Sequence, residues 1–225
     1  MADMIEIHKA TKDDLQTIHD MAQVVFRHTY RDILSPEQMD YMKEMMYSLP
    51  NLQKQLDEGH HYYIAYDGDA GLADSESADR TTDSSQMCGR DGQSSANRTP
   101  CGYVSVQHQG ADPDGTEVFH LHKIYVMPQS QGKGVGMRLF QTVMNHVRSV
   151  TDSRVAVSSN GDSVSTSDLQ PKARIELNVN KYNSAVAFYK HIGMRIIHEE
   201  DYPIGNGFYK TDYIMALDLA WSINH

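Results

Sequence analysis

The chain has 225 residues, with 30 acidic against 20 basic side chains, a net charge of -10 at pH 7 and a pI near 5.6. That length admits one large domain or two small ones with a sizeable core, and the acidic balance argues against duplex nucleic acid, which is held chiefly through basic clusters. No apolar run approaches a membrane span, the opening Met1-Ala-Asp-Met-Ile-Glu lacks a signal peptide's basic start and apolar core, and two cysteines, Cys88 and Cys101, make no disulfide framework, so a reducing cytoplasm is expected. An acidic surface suits a cationic small substrate, or serves simple solubility.

In chain order, Met4-Ile-Glu-Ile-His8 alternates and predicts a first strand. Thr11 caps the helix that follows, Asp13 and Asp14 put negative charge in its first turn, and Leu15, Ile18, Ala22, Val25 and Phe26 form its apolar stripe. Ser35-Pro36-Glu37 is a cap with proline at the first helical position, starting a second helix through Met45, and Leu52 to Leu56 adds a short extra turn. His61-Tyr-Tyr-Ile-Ala-Tyr66 has the content of a strand. From Gly68 to Pro100 the chain is mostly Ser, Asp, Gly, Thr and Ala, which predicts a disordered insertion in a hairpin. Asn97-Arg98-Thr99 matches a glycosylation sequon, a chance match in a cytoplasmic chain.

Strands are expected at Cys101 to Gln107 and Val118 to Val126, and the second runs into Gln131-Gly-Lys-Gly-Val-Gly136. Glycines let backbone approach a ligand, and a helix N-terminus offers unpaired N–H groups with positive partial charge, so this turn suits a phosphate or pyrophosphate. Spacing excludes two nucleotide loops. No glycine is followed by Lys and then Ser or Thr, as a Walker A loop needs, and G-x-G-x-x-G would require glycine where Met137 stands. What remains fits [Q/R]-x-x-G-x-[G/A]. The following helix carries Leu139, Phe140, Val143 and Val147 at helical spacing, and a second polar insertion is expected from Thr151 to Gln170. Arg174 to Val179 is a strand, Asn183 caps a helix whose Ala185, Phe188, Tyr189 and Ile192 share one face, and Gly193 ends it. Closing strands lie near Arg195 to His198 and Phe208 to Leu217. The order β-α-α-β-β-β-α-β-α-β-β predicts an α/β fold, a mixed sheet with helices on both faces.

The glycine loop resembles the acetyl-CoA pyrophosphate loop of the GNAT superfamily of N-acetyltransferases. Asn183-Ser-Ala185-Val-Ala-Phe188-Tyr189-Lys-His-Ile-Gly193-Met194 is similar to that superfamily's N-x-x-A-x-x-F-Y-x-x-x-G-[FM], although Asn183 lies two residues before Ala185 rather than three. The resemblance covers nearly the whole chain. It implies a single acetyltransferase domain over residues 1–225, interrupted by insertions at 68–100 and 151–170, with a central sheet of six to seven strands. Phe26-Arg-His-Thr-Tyr30, the Ser35-Pro36-Glu37 start and Ile204-Gly-Asn-Gly-Phe-Tyr-Lys-Thr-Asp-Tyr-Ile-Met215 resemble bacterial spermidine/spermine acetyltransferases of the PaiA type, which implies substrate contacts at Phe26 and Tyr30.

The resemblance further implies that backbone groups of Ile124, Tyr125 and Val126 pair with pantetheine amides, while Gln131, Gly132, Lys133, Gly134, Val135 and Gly136 hold the pyrophosphate. Lys133 and Arg138 add charge there or are simply solvated, and Asn183 has two compatible roles, helix cap and cofactor contact. Tyr189 matches the superfamily's general acid; its alternatives are a hydrogen bond to the leaving thiolate, or packing. His120 and His122 point to one face of their strand. Either can act as the base that neutralises the amine, titrating near neutrality, or be a buried histidine beside a water chain. With no third ligand apparent, no metal is expected. The function expected is acetyl transfer from acetyl-CoA to a primary amine, a polyamine being one candidate. The alternatives are a protein amino group, another small amine, or a non-catalytic acetyl-CoA-binding regulatory module. The partners expected are a small amine, with a homodimer left open, and neither nucleic acid nor membrane.

Overall fold

The computed structural model describes residues 4–68, 98–158 and 172–221. The strands among them are β1 Met4–Lys9, β2 His61–Gly68, β3 Arg98–Ala111, β4 Glu117–Val126, β5 Lys172–Asn180, β6 Arg195–Gly205 and β7 Phe208–Ala220. The helices are α1 Leu15–Tyr30, α2 Pro36–Tyr47, α3 Leu49–Asp57, α4 Val135–Ser158 and α5 Ala185–His191. All seven strands join one sheet in the order β1-β2-β3-β4-β5-β7-β6. Only β4 and β5 run parallel. This is the mixed α/β architecture expected from the sequence.

Period-two alternation divides the core between the two faces of the sheet. On β2, Tyr62 and Ile64 pack under α1, α2 and α3, whereas Tyr63 and Ala65 turn toward α4 and α5. Thr11 caps as expected: its hydroxyl accepts from Asp13 N–H, and the Asp14 carboxylate accepts from Thr11 N–H at 2.8 Å. That reciprocal pairing fixes the entry into α1, whose Leu15, Ile18, Ala22, Val25 and Phe26 are all buried. Ser35 likewise accepts from Gln38 N–H at 3.2 Å and starts α2.

Several expected boundaries need correction. The short turn at Leu52 to Leu56 is a nine-residue helix, because Ser48-Leu49-Pro50 starts it earlier and Leu52 buries completely. Both ends of the 68–100 insertion belong to the sheet, with Gly68 paired to Arg98 and Tyr66 to Pro100; residues 69–97 lie outside the described residues. The insertion at 151–170 begins too early. Helix α4 continues through Ser158, Thr151 bonds back to Val147 O at 2.9 Å, and Trp221 Nε1 donates to Asp152 at 2.9 Å; residues 159–170 lie outside the described residues. Strand β6 runs on to Gly205 and turns into β7 through Asn206 (φ 49°) and Gly207 (φ 75°), an Asn-Gly pair suited to a two-residue hairpin.

Candidate active site

Strands β4 and β5 pair only from Glu117–Ala173 to His120–Glu176. Beyond that point β5 stays with β7 to Asn180, and β4 stays with β3 to Val126. The register shows the cause. Leu121 pairs with Val106 and Lys123 with Ser105, so His122 is an extra residue, and a bulge of this kind bends its strand. The separating strands leave one edge of β4 facing a cleft of about 720 Å³. Ile124, Tyr125 and Val126 border that cleft.

The glycine loop closes one end of it. Gln131 donates to Val126 O at 3.2 Å and ties the loop to the end of β4. Gly132 (φ 76°) and Gly134 (φ 80°) adopt left-handed backbone, and nothing stands within 4 Å of where a Cβ would project. Arg138 N–H bonds to Gly134 O at 3.1 Å, so the N–H groups of Val135, Gly136 and Met137 form the helix's unpaired first turn at the wall of the cleft. Gly136 differs from its neighbours. Its backbone is ordinary helix, and a Cβ there would sit 3.7 Å from Val126 and 3.8 Å from Phe188. Lys133 is drawn aside toward Asp67 at 3.7 Å, and Arg138 is exposed.

His122 stands where β4 bulges. Its Nε2 lies 3.0 Å from Gln107 Oε1, and Gln107 Nε2 in turn donates to Glu58 O at 2.7 Å. With that amide oriented, the ring donates from Nε2 and keeps a free lone pair on Nδ1. The His60 and His120 rings lie tilted against it, with centroids 4.0 and 4.5 Å away. Burial first, then neighbouring positive charge, holds His60 and His120 at about 4 and His122 lower still. The expectation that His120 and His122 titrate near neutrality is therefore corrected: both, like His60, are neutral at physiological pH. His120 shares the face of His122, as expected, but does not line the cleft. Among the described residues, no group of three or more His, Cys, Asp or Glu is placed to hold a metal ion.

Lys123 is 5% exposed, its ammonium 5.4 and 5.6 Å from the Tyr62 and Tyr47 ring centroids and 2.5 Å from Gln55 Oε1. Burial, then the charge of Lys210, brings it down to about 7. On the opposite wall α5 places Tyr189, 7% exposed, whose phenol burial holds above its usual value and hence protonated. Asn183 Oδ1 accepts Ala185 N–H at 2.9 Å, an Asx turn leading into α5, so the expected cap is corrected: the capping position itself is Ser184.

Past His122 lies a second, smaller chamber of about 60 Å³. Phe26, Leu34 and Met42 form its apolar wall, Lys210 and Asp212 its charged one. Phe26 packs on Tyr30 with centroids 4.5 Å apart, and the Tyr30 and Tyr125 hydroxyls are 3.4 Å apart. His122, Tyr30, Tyr125 and Asn178 belong to both walls, so cleft and chamber adjoin there. The β6–β7 hairpin roofs the chamber: Tyr41 OH donates to Ile204 O and Gln38 Nε2 to Tyr209 O, both at 2.7 Å. Sequence reasoning missed Gln107, Lys123, Lys210 and Asp212. The available signals were a lysine inside an otherwise apolar and histidine-bearing strand, and two charges at period two near the start of β7.

The model of the Acetyltransferase (GNAT) family matches residues 25–165. Among solved structures, PaiA N-acetyltransferase from Thermoplasma acidophilum in complex with coenzyme A superposes with a TM-score of 0.53 at 19% identity, covering 95% of this chain and 98% of that one. Arabidopsis thaliana NAA60 in complex with a bisubstrate analogue gives 0.55 at 14% identity, covering 96% and 99%. The ribosomal-protein-S18-alanine N-acetyltransferase from Escherichia coli gives 0.54 at 14% identity, covering 99% of each. At such identities these likenesses speak for the fold. The family model spans more than half of the sequence, and on that ground the chain belongs to the GNAT acetyltransferase family and is an acetyl-CoA-dependent N-acetyltransferase.

Proposed function

We propose that the chain is one catalytic domain that acetylates a small primary amine entering the chamber beyond His122, with acetyl-CoA lying along the free edge of β4. The observation that carries this reading is the meeting of cleft and chamber at His122, Tyr30, Tyr125 and Asn178. Backbone groups of Ile124, Tyr125 and Val126 pair with the pantetheine amides, the N–H groups from Gly132 to Gly136 hold the pyrophosphate, and Lys133 and Arg138 stand nearby to add charge. Asn183 keeps its side-chain NH₂ for the cofactor while its oxygen accepts Ala185 N–H. The co-substrate supplies an acetyl group already activated as a thioester.

An amine must be neutral to attack, and for an ordinary ammonium of pKa about 10.4 this costs about 4.6 kcal/mol at pH 7. Lys123 indicates what these surroundings do to an alkylammonium, bringing it to about 7. An acceptor placed among the same neighbours needs no strong base. His122, neutral and with its lone pair on Nδ1, then suits a relay that passes the proton to water. Tyr189 stays protonated and acts as a hydrogen-bond donor to the departing sulfur. Full proton transfer is uphill, since a thiol titrates near about 8.5 and burial lifts the phenol above its usual value of about 10.

The small, roofed chamber favours a small amine over a protein amino group, such as the one named for the Escherichia coli relative. The net charge of -10 and the PaiA-type resemblance support a polyamine; Lys123 and Lys210 beside the chamber weigh against one. No helix among the described residues is long and apolar enough to cross a membrane, which is compatible with the cytoplasmic location we propose. A panel of small amines scored by free-CoA release tests the reading. Silence across the panel despite tight acetyl-CoA binding would favour a regulatory module.

A further inference from the structure

Two opposite charges enter the chamber from one strand. Lys210 and Asp212 are two residues apart on β7, so they project to the same face, and both border the chamber. They form no close ion pair, although each feels the other's charge. Among the described residues Lys210 makes no ion pair; its ammonium lies 5.9 Å from the Tyr202 ring centroid. Asp212, 4% exposed, accepts one hydrogen bond, from Tyr202 OH at 3.3 Å, and a carboxylate has room for more. The two charges also act on different ends of the site. Lys210 bears on His120, His122 and Lys123, while Asp212 bears on Tyr30 and Tyr202. Of the acids on β6, Glu199 and Asp201 lie 3.4 and 3.3 Å from Lys181, while Glu200 sits across from Asp212 and makes no ion pair among the described residues.

Resting on the transferase reading above, we propose that the acceptor is a short zwitterionic amine. It is a primary amine with its own carboxylate a few bonds away, the carboxylate pairing with Lys210 and the amino group entering beside Asp212. A part-buried ammonium without a partner is costly, and an incoming carboxylate supplies the missing one. A polycation would instead bring more positive charge beside Lys210 and Lys123. Size agrees, because a small roofed chamber favours a short chain. In the reaction the amine nitrogen bonds the acetyl carbon and the carbon–sulfur bond breaks. The sulfur keeps its electron pair and gains a proton, and the proton shed by the nitrogen leaves through His122 and water.

The test compares amines of matched length on the full chain: 4-aminobutanoate, butylamine and 1,4-diaminobutane, with glycine, 3-aminopropanoate and 5-aminopentanoate to set the spacing. The best amino acid should exceed butylamine in kcat/KM by about tenfold or more, the scale of one charge-assisted hydrogen bond, with the diamine last. Lys210→Met should abolish this preference, chiefly through KM, and Lys210→Arg should largely keep it. The wild-type panel stands without either variant should one fail to fold. A diamine preferred over every amino acid, or equal use of butylamine and amino acids, would overturn the zwitterion proposal and leave the transferase intact. Acetyl-CoA binding with no turnover of any small amine would overturn it as well. Failure to bind acetyl-CoA at all would instead strike the reading on which it rests.

Discussion

The cofactor side and the acceptor side meet at His122, yet they are assembled from different materials. The cofactor side is made mainly of backbone: the free edge of β4, the left-handed Gly132 and Gly134, and the first turn of α4. The acceptor side is made of side chains that converge from α1, α2, β4, β5 and β7. A backbone site follows from local geometry and tolerates many side chains. A convergent site depends on which side chains happen to meet, so acceptor choice can change while the cofactor site persists.

The largest expected effect falls on the backbone side. Gly134→Glu puts a side chain into left-handed backbone, at about 1–2 kcal/mol, and a negative charge into the anion site. Acetyl-CoA affinity by calorimetry should fall at least about a hundredfold, while the melting temperature drops only by the few degrees that backbone strain costs, because nothing packs against that position. Gly136→Glu should also lose binding, but with disturbed packing against Val126 and Phe188. Unchanged affinity in both would remove the loop from the site.

Next in size is Tyr189→Phe, which keeps the ring and deletes the hydroxyl. If the hydroxyl stabilises the departing sulfur, kcat should drop on the order of 10²-fold while acetyl-CoA affinity barely moves. A near-normal kcat, with chemistry shown to be rate-limiting, would make Tyr189 a packing residue.

A smaller effect probes the junction between the two sides. Gln107→Leu removes the acceptor that fixes the His122 tautomer. The rate should fall by about tenfold, less than the 10² or more of a full acid–base group. An identical kcat/KM would show that His122 has no part in proton transfer.

This division also explains what the sequence could reveal. The glycine loop and the Ala185 to Gly193 segment are contiguous, so their spacing is visible in the chain, and helix caps such as Thr11 and Ser35 act within four residues. The bulge at His122 was not visible, because it exists only as a register against β3. Lys210 and Asp212 gain meaning only beside residues of α1, α2 and β4, far away in sequence. The histidines were found but their chemistry was misjudged, since their neutrality comes from burial and from lysines that the sequence does not place beside them.

The smallest effect concerns stability. His60, His120 and His146 titrate at about 4 in the folded chain, below their ordinary value of about 6.5, chiefly through burial. Between those values the unfolded chain binds protons that the folded chain refuses, so stability is lost as pH falls through that window. The melting temperature should decline from pH 6.5 toward 4, and less steeply in His146→Gln. A flat profile would show that the folded chain accepts these protons.

The most direct measurement follows acetyl-CoA consumption by the wild-type chain as a primary amine is titrated in, with cofactor binding recorded on the same sample. Binding should be saturable, and free-CoA release should rise with amine concentration and reach a plateau. Saturable binding with release that no primary amine accelerates would contradict an acetyl transfer carried out between the cleft and the chamber.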